Sequence, residues 1–564
     1  MDKRNMDYSS YRSGELQNGI ERAAHRALLY SMGLDEKDLG KPLIAIVNSY
    51  NEIVPGHIHL RELAEYVKQG VYEAGGIPRE FDTIALCDGL CQGHKGMSYP
   101  LPSRDLITDS IEMMIEGHQF DAMVMLPGCD KIVPGMIMAA VRLNIPAILV
   151  PGGPMVAGKY KDIDVITLTD IRELIGRTQV GKMDISELAQ AELAALPTVG
   201  TCAMMGTANS MGTLSEVLGL TLPGCSTALA VSACKRRFAK QSGRRIVEML
   251  EEDLVPRKIV TKETLLNGIA ATMAMGSSTN TVLHLMAIAN EAKVELTLND
   301  FDRISRQVPY LCNIKPSGKY PLQILDENGG VYSVLKAIEE KLDTGRLTVT
   351  GKTIAELLQN VEKVENDVIF PISAPKNEEG GIAVLYGNLA PDGAVVKKSG
   401  VKPSMYQFQG KARVFHSMED ASAAVSGDKI KKGDVIVIRY EGPKGGPGMR
   451  EMHMTTSLLV GRGMDESCAL ITDGRFSGST RGPCIGHISP EAAAGGPIAA
   501  VQEGDLITID IPSRKLTLEV SQEEIQKRLE SVQPIVKKRT PSLAKYAALV
   551  TSADKGAILR IPKD

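Results

Sequence analysis

The chain has 564 residues and a net charge of −4, with 43% hydrophobic and 23% charged residues. This composition is typical of a folded globular protein and excludes extensive disorder, and the lack of a basic excess argues against a nucleic-acid partner. The polar N-terminal sequence contains no apolar signal segment, and no apolar run reaches the roughly 18 residues of a membrane span. A cytoplasmic protein without membrane contact is therefore expected. In that reducing compartment the nine cysteines would serve as packing residues, metal ligands or catalytic groups rather than disulfides.

The first part of the chain alternates short apolar runs with amphipathic segments. This pattern predicts strands at 41–49, 81–89, 120–126 and 145–153, and helices at 59–74, 103–117 and 134–143. Near-continuous apolar strands between helices indicate a parallel α/β sheet that is covered on both faces. Ligands bind beyond the carboxyl ends of such strands, and two of these ends carry a Cys-Asp pair.

The remainder of the chain changes character twice. Residues 185–345 are predicted to be mostly helical, whereas strands at 434–442 and 466–474 and a hairpin at 505–520 indicate a β-rich C-terminal part. We predict two domains, an α/β domain over residues 1–365 and a β-rich, barrel-like domain over residues 366–564.

The segment PGCDKIVPGM, residues 127–136, lies between a predicted strand and a predicted helix. A helix N-terminus lowers a thiol pKa, so Cys129 is expected to be a metal-binding thiolate. Asp130 offers a hard oxygen ligand, and the amine of Lys131 could pair with it or be chemically modified. The alternative is a helix-capping aspartate beside a small buried cysteine.

The segment LCDGLCQGHKGM, residues 86–97, contains a second Cys-Asp pair among glycines. Asp88 could bind a metal, and Cys87 and Cys91 would lie together if the loop began a helix. A glycine-rich turn with a capping aspartate is the alternative, but it leaves two cysteines and His94 in one loop unexplained.

Three further candidates are more weakly marked. Cys202 lies among small residues, where a tightly packed start of a helix is an equally simple interpretation. Glu451 could be a ligand for a hard metal, and Ser477, in a glycine-flanked loop after a strand, could act as nucleophile or base if a metal or partner activated it. A polar turn is the alternative for these two. The remaining cysteines are assigned to packing: Cys225, Cys234, Cys312, Cys468 and Cys484.

Taken together, these segments resemble the dihydroxy-acid and phosphogluconate dehydratase family of iron–sulfur lyases. The similarity extends over almost the whole chain, and its dihydroxy-acid branch is the most similar. The strings that carry it are VNSYNEIVPGHIHL, CDG, PGCDKIVPGM, GTC with TANSM, MGSSTNTVLHL, GNLAPDGAVVK, VIRYEGPKGGPGMRE and ITDGRFSGSTRG.

The resemblance implies a role for each matching residue. It makes Cys129 and Cys202 ligands of an iron–sulfur cluster and Ser477 the catalytic base. It implies that Lys131 becomes N6-carboxylated and binds Mg²⁺ through its carbamate. The remaining implied Mg²⁺ ligands are Asp88, Asp130 and Glu451. It also implies an α/β N-terminal domain, a β-rich C-terminal domain, a site between them and a homodimer.

The sequence departs from the family pattern near the expected site. Gly56 stands where the 2Fe-2S branch has a third cysteine, which favours a 4Fe-4S over a 2Fe-2S cluster and leaves Cys87 or Cys91 as candidates for the third ligand. Residues 90–92 and 204–207 also differ from those of the dihydroxy-acid branch.

The leading hypothesis is thus an Mg²⁺-dependent iron–sulfur hydro-lyase that converts 2,3-dihydroxy-3-methyl acids to 2-oxo acids in valine and isoleucine biosynthesis. A sugar-acid dehydratase acting on an aldonate or phosphogluconate is the alternative within the family. A non-catalytic thiol- or zinc-binding protein is the alternative of another class, and it would leave Ser477 and Glu451 without a role.

Overall fold

The computed structural model describes residues 6–179 and 181–560. Its strands are β1 (Leu43–Asn48), β2 (Ile77–Asp82), β3 (Ala122–Leu126), β4 (Ala147–Leu149), β5 (Gly158–Tyr160), β6 (Ile163–Ile166), β7 (Ala383–Gly387), β8 (Ala390–Val396), β9 (Gln407–Phe415), β10 (Asp434–Ile438), β11 (Ala469–Thr472), β12 (Cys484–Ser489), β13 (Leu506–Asp510) and β14 (Lys515–Leu518).

The α-helices of these residues are α1 (Ala23–Ser31), α2 (Leu60–Glu73), α3 (Asp88–Cys91), α4 (Pro100–Gly117), α5 (Ile132–Leu143), α6 (Leu168–Gln179), α7 (Ile185–Ala195), α8 (Thr207–Val217), α9 (Ala233–Glu251), α10 (Pro256–Ile259), α11 (Lys262–Met275), α12 (Asn280–Glu291), α13 (Leu298–Ser305), α14 (Leu322–Glu327), α15 (Gly330–Ala337), α16 (Ile354–Leu358), α17 (Met418–Ser426), α18 (His453–Gly461), α19 (Gln522–Ser531) and α20 (Pro541–Leu549).

The N-terminal sheet is parallel and has the strand order β2-β1-β3-β4. Every residue of β1, β3 and β4 is buried, as expected for strands covered on both faces. The predicted α/β arrangement is confirmed, and so is the helical character of the middle of the chain, which contributes α7 to α15.

The predicted strand at 81–89 is wrong in its position. The strand β2 is already complete at Asp82, which pairs with Asn48, the last residue of β1. Because β2 lies at the edge of the sheet, its chain has no further partner beyond this point and leaves the sheet. The Cys87-Asp88 pair therefore lies in a separate loop and in the single-turn helix α3, five residues beyond the strand.

The C-terminal part contains a closed eight-stranded barrel of order β10-β11-β12-β8-β7-β14-β13-β9, which confirms the predicted barrel-like architecture and the hairpin of β13 and β14. The apolar run of strand β10 is continuous because the strand packs on both faces. Val435 and Val437 lie in the barrel interior, whereas Ile436 and Ile438 belong to a separate core outside the barrel that includes residues of α17 and α18. Both faces of the strand are thus buried.

The two parts of the chain pack together in one hydrophobic core. Val384 of β7 and Val395 of β8 belong to the same hydrophobic core as the N-terminal sheet. The boundary near residue 365 stays a prediction. In the described part of the chain, the helices are all too short or too polar to span a bilayer.

Candidate active site

The turn that follows β3 positions three of the predicted site residues. Cys129 and Asp130 lie between β3 and α5, and Lys131 is the N-cap residue of α5. The preceding Gly128 is required here because a Cβ at this position would lie 2.4 Å from the carbonyl oxygen of Gly56. The backbone N–H of Cys129 donates to Nε2 of His57 at 2.8 Å, which fixes the turn against the loop after β1.

Three carboxylates meet beside this turn. Asp88, Asp130 and Glu451 each present an oxygen, and these oxygens lie within 4.8 Å of one another. Asp88 begins α3 and Glu451 lies just before α18, so residues more than 300 positions apart converge. Carboxylate oxygens at this spacing are typical ligands of Mg²⁺.

Two buried cations balance part of this negative charge. The Nζ of Lys131 donates to Oδ2 of Asp88 at 2.8 Å and lies 3.6 Å from Oδ2 of Asp130. Arg475 donates to the same Asp88 oxygen at 3.1 Å and also pairs with Oε1 of Glu451. Lys131 and Arg475 are both fully buried.

The two cations do not neutralise all three carboxylates. The site has three acids and two bases, and the other oxygen of Asp88, Oδ1, is buried without a hydrogen-bond partner. Burial and the neighbouring charge of Asp88 raise the pKa of Asp130 to about 7. Burial also opposes the ionised form of Glu451, but the charges of Arg475 and Lys131 outweigh it and lower the pKa of that group. A divalent cation fits this donor set, because it would supply the missing positive charge.

Glu451 is held on both of its oxygens by amide side chains. Asn280, the first residue of α12, places Nδ2 3.0 Å from Oε1, and Gln92 donates from Nε2 to Oε2 at 2.6 Å. The carbonyl oxygen of Gln92 must point away from the carboxylate, since two acceptors repel one another. That oxygen is buried and has no partner within the described residues.

The thiols form a second group next to the carboxylates. Cys87 and Cys129 share a hydrogen bond between their thiols, and Cys202 interacts electrostatically with both. Cys91 interacts with Cys87 and Asp88 but not with Cys129 among its principal partners. The position of Gly56 is also close, since a Cβ there would lie 3.2 Å from Sγ of Cys129. Soft thiolate donors of this kind suit iron.

The predicted lowering of the Cys129 pKa is wrong. The hydrogen bond with Cys87 and burial raise the pKa of Cys129 well above its usual range, despite the nearby helix N-terminus. Burial likewise raises the pKa of Cys202 to about 12 and that of Cys91 to about 11. In Cys87, by contrast, the hydrogen bond from Cys129 lowers the pKa. Cys129 and Cys202 are therefore protonated in the absence of a metal, and a metal must displace their protons when it binds.

Ser477 lies in the loop after β11, and the carboxylate group fixes this loop. A bridge pairs Glu451 with Arg475, two residues before the serine, and Asn280 also lies 3.3 Å from the carbonyl oxygen of Phe476. The Ser477 hydroxyl is 3.0 Å from Oγ of Ser479.

His453 continues this line of polar groups. Its Nε2 lies 3.3 Å from Oγ of Ser479, so Ser477, Ser479 and His453 form one hydrogen-bonded row. Burial, with the charge of Arg172, lowers the pKa of His453 well below its usual range. The imidazole is therefore neutral.

Comparisons with known proteins identify the family of this chain. The family model "Dihydroxy-acid/6-phosphogluconate dehydratase N-terminal" matches residues 41–357, and the corresponding C-terminal model matches residues 367–557. The chain belongs to the dihydroxy-acid/6-phosphogluconate dehydratase family. The resemblance stated from the sequence motifs is thereby confirmed, and with it membership of a hydro-lyase family.

Relatives from distant organisms cover the chain almost completely. It is 52% identical to the dihydroxy-acid dehydratases of Pyrococcus abyssi and of Moorella thermoacetica, in each case over 551 residues that cover 97% of this chain and 100% of the relative. It is also 52% identical to dihydroxy-acid dehydratase 1 of Methanosarcina acetivorans over 552 residues, with the same coverage.

Sequence reasoning missed several residues of the site in this family member. Arg475 lies inside DGRFSGSTRG, and its burial between two carboxylates is visible only in the folded chain. Asn280 lies inside MGSSTNTVLHL, where its position at the start of a helix gave no sign of contact with Glu451. The one available signal was at Gln92, because residues 90–92 differ from those of the dihydroxy-acid branch. His57 and His59 bond the backbone of Cys129 and Gly152.

Lys397 is a buried lysine next to the Ser477 loop, and its pKa allows a test of stability against pH. Its Nζ donates to the carbonyl oxygen of Gly478 at 2.7 Å, and it forms no ion pair within residues 6–179 and 181–560. Burial lowers its pKa from 10.5 to about 7, so between these values the unfolded chain binds more protons than the native one. The contribution of this difference to the unfolding free energy is fully present above pH 10.5 and is lost as the pH falls to about 7.

We therefore expect the unfolding free energy to rise more steeply between pH 7 and 9 in the wild type than in Lys397→Met. The difference between the two slopes should be at most about 1.4 kcal/mol per pH unit. Urea unfolding at both pH values measures the difference. Lys411→Met, at an exposed position of β9, is the control and should keep the wild-type rise. Equal slopes in wild type and Lys397→Met would contradict a neutral Lys397.

Proposed function

We propose that this chain is a dihydroxy-acid dehydratase, which removes water from 2,3-dihydroxy-3-methyl acids to give 2-oxo acids for valine and isoleucine biosynthesis. The observation that carries the proposal is the pairing of Cys87-Asp88 with Cys129-Asp130. These two dipeptides bring a group of thiols and a group of carboxylates to adjacent places. The names of the relatives favour this substrate class over a sugar acid.

The carboxylates would hold Mg²⁺. Asp88, Asp130 and Glu451 supply hard oxygen ligands, and the unpartnered Oδ1 of Asp88 is free to coordinate. Lys131 would join them as N6-carboxylysine, since its Nζ already lies between Asp88 and Asp130. Carboxylation would replace a positive group with a negative one, leaving Arg475 as the balancing cation.

The thiols would hold an iron–sulfur cluster. Cys129 and Cys202 are the first two ligands, and Cys87 is the better candidate for the third because its thiol interacts with that of Cys129, which is not among the principal partners of Cys91. The glycine at position 56 removes a ligand that a three-cysteine 2Fe-2S site would use, which favours a 4Fe-4S cluster.

When bound, Mg²⁺ and the cluster iron supply Lewis acidity toward the carboxylate and hydroxyl oxygens of the substrate. The chain itself supplies the proton path. Ser477 Oγ would remove the α-proton as its alkoxide, which the positive charge of a bound Mg²⁺ would favour, and Ser479 and His453 hold its side chain in a hydrogen-bonded row. Arg475 and Asn280 contact both the serine loop and Glu451 and so fix their relative positions. The enol formed by loss of water then ketonises to the 2-oxo acid.

The cluster can be tested without an activity assay. Protein purified in the absence of oxygen should be coloured and contain iron and inorganic sulfide, and Cys129→Ala and Cys202→Ala should each reduce both contents. Cys312→Ala is the matched control, since Cys312 is a buried thiol in the hydrophobic core. A colourless protein without iron would contradict the proposal.

Gln92 gives a test of the Mg²⁺ site. Replacing it with methionine removes the hydrogen bond to Oε2 of Glu451, and loss of such a supporting contact is expected to weaken Mg²⁺ binding about 10-fold or more. The Mg²⁺ dependence of both turnover and thermal stability measures the change. Gln323→Met, on the exposed surface of α14, should behave as the wild type. An unchanged Mg²⁺ dependence in Gln92→Met would mean that Glu451 needs no such support.

We further propose that the protein acts in the cytoplasm as a homodimer. Its partner molecules would then be the small dihydroxy acid and a second copy of the chain, with no nucleic acid or membrane involved. Sedimentation at micromolar concentration tests the oligomeric state directly.

A further inference from the structure

A cavity of about 570 Å³ lies on the outer side of the loop that carries Asp88 and Gln92. One wall is the segment 94–99, and the other is the segment 538–543, which leads into α20. The cavity is of the size that small-molecule sites in proteins have. The carboxylate group does not line it, so it is a separate feature of the molecule.

The charges around this cavity are all positive. Lys95, Lys538 and Arg539 line it, and no aspartate or glutamate does. Neither lysine forms an ion pair within the part of the chain that the structure describes, and Nε of Arg539 is buried without a hydrogen-bond partner. Three cations without an ion pair among the described residues thus face one cavity that no carboxylate lines.

The uncharged groups of the cavity are also suited to an anion. Ser98, Tyr99 and Thr540 offer hydroxyl groups, and the hydroxyl of Tyr99 bonds Thr540 across the cavity at 3.3 Å. Two helices, α4 and α20, begin at Tyr99 and Thr540, so the positive ends of both helix dipoles add to the potential of the three cations. Leu543 and the ring of Tyr99 provide an apolar surface beside these donors.

We propose that this cavity binds a small anionic molecule through carboxylate or phosphate oxygens, with room for a short apolar group. Lys95, Lys538 and Arg539 would neutralise the anion, and the hydroxyl groups would donate to its oxygens. This site is additional to the proposed dehydratase site. The two sites share one loop. His94, at the cavity wall, accepts a hydrogen bond from the backbone N–H of Gly96, and its Nε2 lies 2.8 Å from the carbonyl oxygen of Leu90. Leu90 is two residues before Gln92 in the same loop.

The experiment is a calorimetric titration of the full-length protein, purified without oxygen, at constant ionic strength. The probes are inorganic phosphate, 3-methylbutanoate and the neutral 3-methylbutanamide. We expect saturable binding of one anion per chain for at least one of the two anions, and none for the amide. Binding of phosphate alone or of the carboxylate alone identifies which oxyanion the site prefers, and either result supports the proposal.

The variants separate this site from the metal centre. Lys95→Gln with Lys538→Gln should weaken anion binding about 10-fold or more, as loss of charged hydrogen bonds predicts. Lys37→Gln with Lys527→Gln removes the same charge from two other exposed positions and should bind as the wild type. Both double variants should keep the wild-type melting temperature and metal content. Absence of anion binding to the wild type, or equal binding to the two double variants, would overturn the proposal, whatever the outcome for dehydratase activity.

Discussion

Replacing Ser477 with alanine is expected to lower turnover by about 10²- to 10⁴-fold, the usual contribution of a group that transfers a proton. The hydroxyl is the first group of a hydrogen-bonded row that continues through Ser479 to His453. Ser477 is partly exposed, whereas Ser479 and His453 are buried. The iron, sulfide and Mg²⁺ contents should stay at wild-type values because Ser477 is assigned to the proton and not to a metal. Turnover and metal analysis of the same preparation measure both effects.

Ser531→Ala is the matched control for this prediction. Ser531 is an exposed residue at the end of α19 whose hydroxyl bonds only a backbone carbonyl, so its loss should leave turnover unchanged. Near-normal turnover in Ser477→Ala would remove the serine from the proposed proton path. Loss of iron from the variant would instead mean that its effect is structural.

Lys131 is the second residue whose replacement should have a large effect. Lys131→Met removes the amine that contacts Asp88 and Asp130 and leaves these two carboxylates with less compensating charge. Because loss of supporting residues already weakens metal binding 10- to 100-fold, we expect loss of a ligand to reduce Mg²⁺ affinity by at least about 100-fold. The Mg²⁺ dependence of thermal stability measures this without reference to turnover.

Lys131→Arg separates charge from carboxylation. Arginine keeps the positive charge next to Asp88 but is not expected to form the carbamate, so it should lose Mg²⁺-dependent turnover as completely as the methionine variant. Removal of dissolved carbon dioxide should also lower the activity of the wild type, and bicarbonate should restore it. Wild-type Mg²⁺ dependence in Lys131→Arg would exclude a role for the carbamate.

The sequence was sufficient to predict the general architecture because its apolar runs are long and regular. Strands β1, β3 and β4 are buried throughout, so their sequences show continuous apolar runs that leave little choice of structure. The end of β2 was placed wrongly because it depends on where its neighbour β1 stops, which no local pattern records. Closure of the barrel is likewise a property of pairing between distant strands.

The candidate site shows the same division between local and distant information. The two Cys-Asp pairs could be recognised locally, since each combines a soft and a hard ligand at one turn. The contacts of Asn280 with Glu451 and of Arg475 with Asp88 join the N-terminal and C-terminal parts of the chain and could not be predicted from spacing. The pKa of Cys129 was misjudged for a related reason. The helix N-terminus is a local feature, whereas burial and the thiol of Cys87, which dominate, come from the tertiary fold.

The most direct test of the central proposal is the rate at which protein purified without oxygen, with its metal content measured, forms a 2-oxo acid. The account predicts rapid formation of 3-methyl-2-oxobutanoate from 2,3-dihydroxy-3-methylbutanoate in the presence of Mg²⁺, with a much lower rate on an aldonate or on 6-phosphogluconate. A preparation that contains iron, sulfide and Mg²⁺ but forms no 2-oxo acid from the branched dihydroxy acid would contradict it.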